Sequence, residues 1–175
     1  IYGMDSMLYV RVYAYINLPT EKPSLSKDKK PLPEKYVSKT IEKFDINLAD
    51  TTQLIRIYGI GSKLSQRIIK YRNSLGGFIL MNQLKEIYGL DSVVVKELNK
   101  KAFIQDEFQP SRLAINTLSE KELAAHPYIK YNLAKAIATY RFQHGNFTSL
   151  EDLKKIALVD EAFYTKIKPY LTLNP

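Results

Sequence analysis

The feature that most constrains the fold of this chain is an internal repeat. Shifted by 69 residues, the sequence aligns with itself without a gap, and 14 of the 46 positions from Ile46 to Asp91 are identical. The identities in the first copy are Ile46, Asn47, Leu54, Ile60, Leu64, Ile68, Tyr71, Arg72, Gly76, Phe78, Leu84, Lys85, Ile87 and Asp91. Agreement at this level indicates a tandem array of one structural unit. We name the two copies repeat one (44–104) and repeat two (105–175).

The chain opens inside a further copy of the same unit. Ile1–Ser6 nearly reproduces Ile87–Ser92, so we interpret residues 1–17 as the C-terminal remnant of an upstream repeat and the chain as a fragment of a longer protein. By the same homology, the run Leu8–Tyr13 is expected to be helical despite its strand-like alternation. Residues 18–43 are rich in proline and lysine and are expected to form an extended linker, whose charge is better explained by solubility than by phosphate contact.

Apolar spacing within each repeat is helical. In repeat one, Leu64, Ile68, Tyr71 and Leu75 follow the spacing of one helix face, and Gly76–Gly77 is expected to end that helix. Phe78 and Phe147 are expected core anchors. The first helix is expected to begin after Asp50 or Ser119, the third near Asn82 or Ser149, and the last after Asp91 or Asp160. The sequence therefore predicts an all-α fold of tandem four-helix units, similar to SAM-type domains, with only weak strand signals.

Composition removes several classes of function. The formal charge is +8 and there is no cysteine, which excludes disulfide scaffolds, thiolate metal sites and cysteine nucleophiles. No apolar run is long enough for a membrane span, so no membrane contact is expected from this fragment. His126 and His144 lie near turns and are each better explained as half-buried or surface residues than as ligands. We expect no catalytic residues, no cofactor and no metal cluster, and we do not expect an enzyme.

The turn between the first two helices of repeat one has two glycines around one aliphatic residue. Gly59 and Gly61 let the backbone turn sharply and approach another surface, while Ile60 is expected to enter the core. Gly61 and Ser62 lie at the start of the next helix, where N–H groups lack internal partners and the dipole is positive. Such a turn suits a phosphate group, although a purely structural helix connection is an alternative.

Together these elements resemble the helix-hairpin-helix family, and within it the ComEA-type competence DNA receptors. The residues that carry the resemblance are Asp45–Asp50, Leu54, Tyr58–Gly61, Tyr71–Arg72 and Gly76–Phe78. The resemblance implies non-specific binding of double-stranded DNA, through hairpin amides on the sugar–phosphate backbone, in a bacterial protein of DNA uptake. It assigns DNA contact to Gly59, Ile60, Gly61, Ser62 and Lys63. In related hairpins the equivalent carbonyls can hold a monovalent cation that bridges to phosphate, which makes those of Ile55, Ile57 and Ile60 a candidate cation site.

Repeat two serves as an internal control for this interpretation. Where repeat one has Tyr58–Gly61, repeat two has Pro127–Lys130, which keeps the aliphatic residue and loses both glycines. Repeat one also presents Lys63, Arg67 and Lys70 along one helix face, a basic stripe whose counterparts are Asn132, Ala136 and Thr139. Because the glycines and the stripe are lost together, we expect phosphate binding at repeat one. Net charge agrees, at +4 for repeat one and +1 for repeat two.

Two further predictions concern the degenerate parts. The second hairpin of repeat one, Tyr88–Asp91, has aspartate in place of the second glycine and is expected to be structural. Repeat two is an alternative site of function: a protein-interaction or spacer module of a bacterial envelope assembly, with an exposed apolar patch. The resemblance favours a periplasmic or membrane-anchored protein, and the sequence upstream of residue 1 would decide this.

Overall fold

The computed structural model describes Met7 and residues 42–175. The chain divides into two compact units, 1–39 and 40–175, and the second contains both repeats. The helix expected at Leu8–Tyr13 and nearly all of the expected linker lie outside the described residues. The description below concerns residues 42–175.

Both repeats have the same order of elements, except that repeat two adds a 3₁₀ turn before its last strand. In repeat one these are β1 Phe44–Asp45, α1 Thr51–Ile55, α2 Ser62–Leu75, a 3₁₀ helix Met81–Glu86, α3 Ser92–Lys101 and β2 Ala102–Phe103. In repeat two they are β3 Leu113–Ala114, α4 Glu120–Ala124, α5 Tyr131–His144, a 3₁₀ helix Leu150–Lys155, α6 Glu161–Ile167, a 3₁₀ turn Lys168–Tyr170 and β4 Leu171–Thr172. The prediction of an all-α chain built from tandem four-helix units is confirmed, with the third helix of each unit wound as a 3₁₀ helix.

Side-chain caps set the start of the first helix of each repeat where the sequence placed it. The Asp50 carboxylate accepts the N–H of Gln53 at 2.7 Å, and the Gln53 side chain accepts the N–H of Asp50 in return. Ser119 and Glu122 form the same capping box in repeat two. Gly76, with φ of 85°, ends α2 in the left-handed conformation, so each boundary follows from local chemistry.

The Tyr-Arg pair shared by the repeats is structural, as expected. The Arg72 guanidinium donates to the carbonyls of Ile46 and Ala49 at 3.1 and 2.7 Å, and its burial lowers its pKa. Arg141 makes the same two bonds in repeat two, at 2.8 and 2.9 Å. Each arginine therefore ties the turn before the first helix to the C-terminal half of the second helix.

A second shared clamp joins an asparagine to the core phenylalanine. The Asn47 side chain donates to the carbonyl of Phe78 at 2.9 Å and accepts its N–H at 2.8 Å. Asn116 holds Phe147 in the same way. Both phenylalanines are buried, at 0% and 3% exposure, which confirms them as core anchors.

Each repeat is closed by a pair of very short parallel strands. Phe44 pairs with Ala102 in repeat one, and Leu113 pairs with Leu171 in repeat two. The sequence did not predict these strands, because two residues are too few to produce an alternating pattern. They bring the start and end of each repeat side by side, and because they are parallel, the chain enters at one end of the pair and leaves at the other.

The two repeats are joined through a buried polar junction. Gln83 is 5% exposed, and its amide nitrogen donates to the hydroxyls of Tyr128 and Tyr170 at 2.9 and 2.8 Å. Its oxygen accepts the N–H groups of Ile79 and Leu80. All its hydrogen-bonding capacity is thus used, so the amide can be buried without an unpaired polar atom.

Further contacts surround this glutamine. The Tyr170 hydroxyl donates to the carbonyl of Gly77 at 3.1 Å. His126 Nδ1 accepts the N–H of Tyr128, which leaves Nε2 as the donor to the Leu75 carbonyl at 3.2 Å. His126 is only 3% exposed, more buried than its position near a turn suggested. Burial lowers its pKa to about 4, so the ring is neutral at pH 7.

Candidate nucleic-acid interface

The first hairpin of repeat one connects α1 to α2 over a buried aliphatic pair. Ile57 and Ile60 are 3% and 4% exposed, and the N–H of Ile60 donates to the carbonyl of Ile57 at 3.0 Å. Ile60 therefore enters the core as expected, while Tyr58 and Gly59 between them are exposed. The two buried isoleucines anchor the hairpin in the core, and the backbone between them faces solvent.

The two glycines of this hairpin serve different purposes. Gly59 has φ of 87°, and a Cβ there would lie 2.6 Å from Cγ2 of Val94 on α3, so packing within the repeat requires glycine. Gly61 has extended backbone angles, and a Cβ there would meet nothing within 4 Å. No packing contact among the described residues requires glycine at position 61. Close approach of another molecule to the backbone is a reason for a glycine there.

The start of α2 presents free backbone donors. Leu64 and Ser65 donate their N–H groups to the Gly61 carbonyl at 3.1 and 2.9 Å. The preceding amides of Gly61, Ser62 and Lys63 have no acceptor among the described residues. Gly61 supplies no side-chain cap, although a Ser, Thr, Asp or Asn at this position would satisfy one of these groups. The arrangement can receive an anion along the helix dipole.

The predicted basic stripe divides into two parts. Lys63 and Lys70 are exposed, and neither forms an ion pair among the described residues. Arg67 is exposed too, but its guanidinium donates to the carbonyl of Tyr88 at 2.6 Å. Lys63 carries the last of the three free amides, and its side chain adds positive charge beside them. Arg67 instead connects α2 to the second hairpin.

At the second hairpin of repeat one, the Asp91 carboxylate accepts the N–H groups of Val93 and Val94, both at 2.9 Å. The amides of Asp91 and Ser92 have no acceptor among the described residues, but the carboxylate places negative charge beside them. This charge disfavours an anion at the second hairpin. Its expected structural role agrees with this geometry.

The carbonyls named as a cation site are partly engaged. The Ile57 carbonyl accepts the Ile60 N–H, whereas those of Ile55 and Ile60 accept no hydrogen bond within the described chain. The cation site stays a prediction.

The equivalent hairpin of repeat two is docked against repeat one. Tyr128, at the position of Gly59, accepts a hydrogen bond from the Gln83 amide nitrogen through its hydroxyl, and the Lys166 ammonium lies 4.0 Å from its ring centroid. The same lysine pairs with Glu86 at 2.9 Å. Burial raises the Glu86 pKa, but hydrogen bonds from Lys166, Tyr71 and Tyr128 outweigh it and lower the pKa overall. The sequence did not reveal this contact, although the aromatic residue in place of glycine was its signal.

Repeat two carries exposed aromatic side chains on α5 instead of a basic stripe. Tyr131 and Phe142 are 63% and 92% exposed, where repeat one has Ser62 and Asn73. Their spacing of 11 residues places them on one side of the helix. The apolar patch expected on repeat two stays a prediction.

The described residues contain no group of three or more His, Asp or Glu side chains that could hold a metal ion. None of their helices is long and apolar enough to cross a bilayer. His144 is exposed, and His126 belongs to the junction.

Comparison with known proteins decides the family. A profile of the helix-hairpin-helix motif matches residues 39–104 and 111–172. The chain belongs to the helix-hairpin-helix family. Its two repeats are thus tandem copies of this motif, as the sequence predicted.

Relatives of the two helix-hairpin-helix repeats carry the name endonuclease/exonuclease/phosphatase family domain-containing protein 1. The chain is 26% identical to the Danio rerio protein, 24% to that of Xenopus laevis and 23% to that of Homo sapiens. Each match covers 73% of this chain but only 26–27% of the relative. The chain thus spans about a quarter of the length of these relatives. No solved structure gives a significant match.

Proposed function

We propose that repeat one binds double-stranded DNA without sequence preference, through the first hairpin and the lysines beside it. The observation that carries this proposal is the uncapped start of α2 at Gly61. Three amides are free there, and no contact among the described residues requires a glycine at this position. Membership of the helix-hairpin-helix family supports nucleic-acid binding in general. Repeat two also starts its second helix without a side-chain cap, but it lacks the hairpin glycines and the basic stripe, which supports placing the contact on repeat one.

In this proposal the residues have separate roles. The amides of Gly61, Ser62 and Lys63 donate to one phosphate group, and charged acceptors make such bonds stronger than neutral ones. Gly59 and Ile60 hold the hairpin in position from within. Lys63 and Lys70 add side-chain charge, and Arg67 both adds charge and positions the second hairpin. Contacts of this kind read no bases, so affinity should fall steeply with salt.

Replacing Gly61 by Asp tests the proposal. Because Asp is at least as good an N-cap as Gly, Gly61→Asp should leave stability equal or higher, while its carboxylate occupies the amides and repels phosphate. Fluorescence anisotropy with a labelled duplex should give wild-type Kd values of about 10⁻⁴–10⁻⁶ M at physiological salt, and Gly61→Asp should weaken binding at least about tenfold.

Lys130→Asp is the matched control, since Lys130 occupies the aligned position in repeat two. It should leave DNA binding close to that of the wild type. Equal binding by wild type and Gly61→Asp would show that the hairpin is only a helix connection.

The setting of this binding is proposed from resemblance. The ComEA-type pattern favours DNA uptake by a bacterial envelope protein, whereas the name of the relatives favours repeats that accompany a nuclease or phosphatase domain. We propose that the repeats themselves bind DNA and do not cleave it. Supercoiled plasmid incubated with this chain and Mg²⁺ should therefore stay intact, and nicking that a Gly61→Asp variant lacks would contradict this.

A second candidate function, protein contact, is favoured by the exposed aromatics of α5. Tyr131 and Phe142 suit a partner of an envelope assembly, independent of DNA. Exchanging them for the residues of repeat one, as Tyr131→Ser with Phe142→Asn, should abolish cross-linking to that partner while DNA affinity is unchanged. Cross-linking that persists in this variant would argue against the aromatic surface.

A further inference from the structure

Each hairpin tip of repeat one carries a tyrosine whose side chain is exposed to solvent. Tyr58 and Tyr88 each directly precede a glycine with positive φ, and each is 84% exposed. Burying an aromatic ring stabilises a protein, so two rings left in solvent at equivalent tips suggest contact with an outside ligand. The aligned residues of repeat two are Pro127 and Ala157. The tyrosines are thus absent from the repeat that also lacks the hairpin glycines and the basic stripe.

Arg67 holds the second of these tyrosines in place. Its guanidinium donates to the Tyr88 carbonyl at 2.6 Å and lies 5.2 Å from the centroid of the Tyr88 ring. A Cβ at Gly89 would lie 2.6 Å from the same guanidinium nitrogen, so the neighbouring glycine makes room for the arginine. With the ring 84% exposed, the face away from the guanidinium is open. A positioned ring loses little conformational freedom when it stacks.

The two hairpins offer different chemistry to a nucleic acid. The first has free amides beside Lys63, whereas the second has the Asp91 carboxylate, which accepts two of its N–H groups. That negative charge disfavours a phosphate at the second hairpin, which contributes a ring instead. Intact duplex offers two phosphate strands and keeps its bases stacked inside. One phosphate site with two exposed rings and nearby lysines fits a strand whose bases are open, because aromatic rings beside a basic surface are how single strands are bound.

We propose that repeat one recognises DNA in which unstacked bases adjoin a duplex, such as a short single-stranded gap. Tyr58 and Tyr88 stack on the open bases, and the amides at Gly61 hold the adjacent phosphate. This inference rests on the proposed DNA binding and specifies the form of DNA that the same surface prefers.

The experiment compares two labelled probes of equal length, an intact duplex and the same duplex with a short gap. Wild-type chain should bind the gapped probe about tenfold more tightly, which is within the range of a base–aromatic stack. Tyr58→Ala with Tyr88→Ala should remove this preference while affinity for the intact duplex stays unchanged. Tyr58→Phe with Tyr88→Phe should retain it, because stacking needs the ring and not the hydroxyl.

Tyr131→Ala, an exposed tyrosine of repeat two, is the matched control and should behave like the wild type. Circular dichroism should show the same helix content in all variants, since every substituted ring is exposed. Equal wild-type affinity for the two probes overturns the gap preference and leaves duplex binding standing. A double alanine variant that loses both probes equally also overturns it, because the rings then serve duplex binding. Failure of the wild type to bind either probe overturns the proposed function itself.

Discussion

The two repeats share one scaffold and differ in what their hairpins contact. Arg72 and Arg141 make equivalent bonds, and so do Asn47 and Asn116. The first hairpin of repeat one presents two glycines beside an exposed lysine, whereas that of repeat two presents Tyr128 to the junction. Positions identical between the copies therefore maintain the fold, and positions that diverge indicate what each copy binds.

The largest effect is expected at the aligned glycines that follow the long helices. Gly76 and Gly145 have φ of 85° and 81°, but a Cβ at Gly76 would lie 2.5 Å from the Ser111 carbonyl oxygen, while one at Gly145 would meet nothing within 4 Å. Gly145→Ala should cost about 1–3 kcal/mol of backbone strain, because φ of 81° with ψ of −171° is a conformation that few residues other than glycine adopt. Gly76→Ala should cost about 3–5 kcal/mol, because the strain of the left-handed conformation adds to the overlap with the carbonyl oxygen. Urea unfolding measures both, and equal losses would mean that the segment before repeat two does not pack on repeat one.

The junction should make stability depend on pH through His126. Its folded-state pKa of about 4 lies below the ordinary 6.5, so the folded state resists protonation, and stability is complete above pH 6.5 and falls as the pH drops towards 4. Between pH 7.5 and pH 5 the free energy of unfolding should fall by about 2 kcal/mol through this group.

His126→Ile, which introduces the residue of repeat one, should remove that part of the pH dependence. His144→Gln alters an exposed histidine and should leave it unchanged. If His126→Ile follows the wild-type pH profile, another group is responsible for it.

The stripe of α2 can be tested against the same face of α5. Lys63→Glu with Lys70→Glu should lower DNA affinity by about tenfold or more and reduce the slope of log affinity against log salt by about 2. Asn132→Glu with Thr139→Glu adds charge at the aligned positions of repeat two and should have little effect. Arg67 is left intact because of its bond to Tyr88. If the two double substitutions lowered DNA affinity equally, binding would depend on the overall charge of the chain and not on a defined surface of α2.

The smallest effect is expected for the ion pair across the junction. Lys166→Met breaks the contact with Glu86, and because Lys166 is partly exposed the loss should stay below about 1 kcal/mol. Lys100→Met breaks the exposed Glu97–Lys100 pair within repeat one and should cost a few tenths of a kcal/mol at most. A loss above 2 kcal/mol at Lys166 would show that the cation over the Tyr128 ring is the larger contribution.

Local structure could be predicted from the sequence, because caps, helix stripes and glycine ends depend on residues a few positions apart. Asp50, Ser119 and Gly76 illustrate this. The identity of Tyr71–Arg72 with its counterpart also indicated a structural pair. The first hairpin could be located in the same way, and the structure adds that glycine is needed for packing at 59 but not at 61.

The junction and the paired strands could not be predicted, because they depend on partners far apart in sequence. Gln83 and Tyr170 are separated by 87 residues, and Gly77 and Tyr170 by 93. No periodicity connects such positions. From the sequence, Arg67 was predicted to contact phosphate as part of the basic stripe. Only the structure shows its hydrogen bond to the Tyr88 carbonyl.

The short parallel strands that close each repeat have a mechanical consequence. Tension on the chain pulls the first strand backward and the second forward, so the pair is loaded in shear and its hydrogen bonds share the load together. A strand pair pulled from one end would lose its bonds one after another. A pull on the two ends of one repeat therefore loads these strands before it reaches the helices.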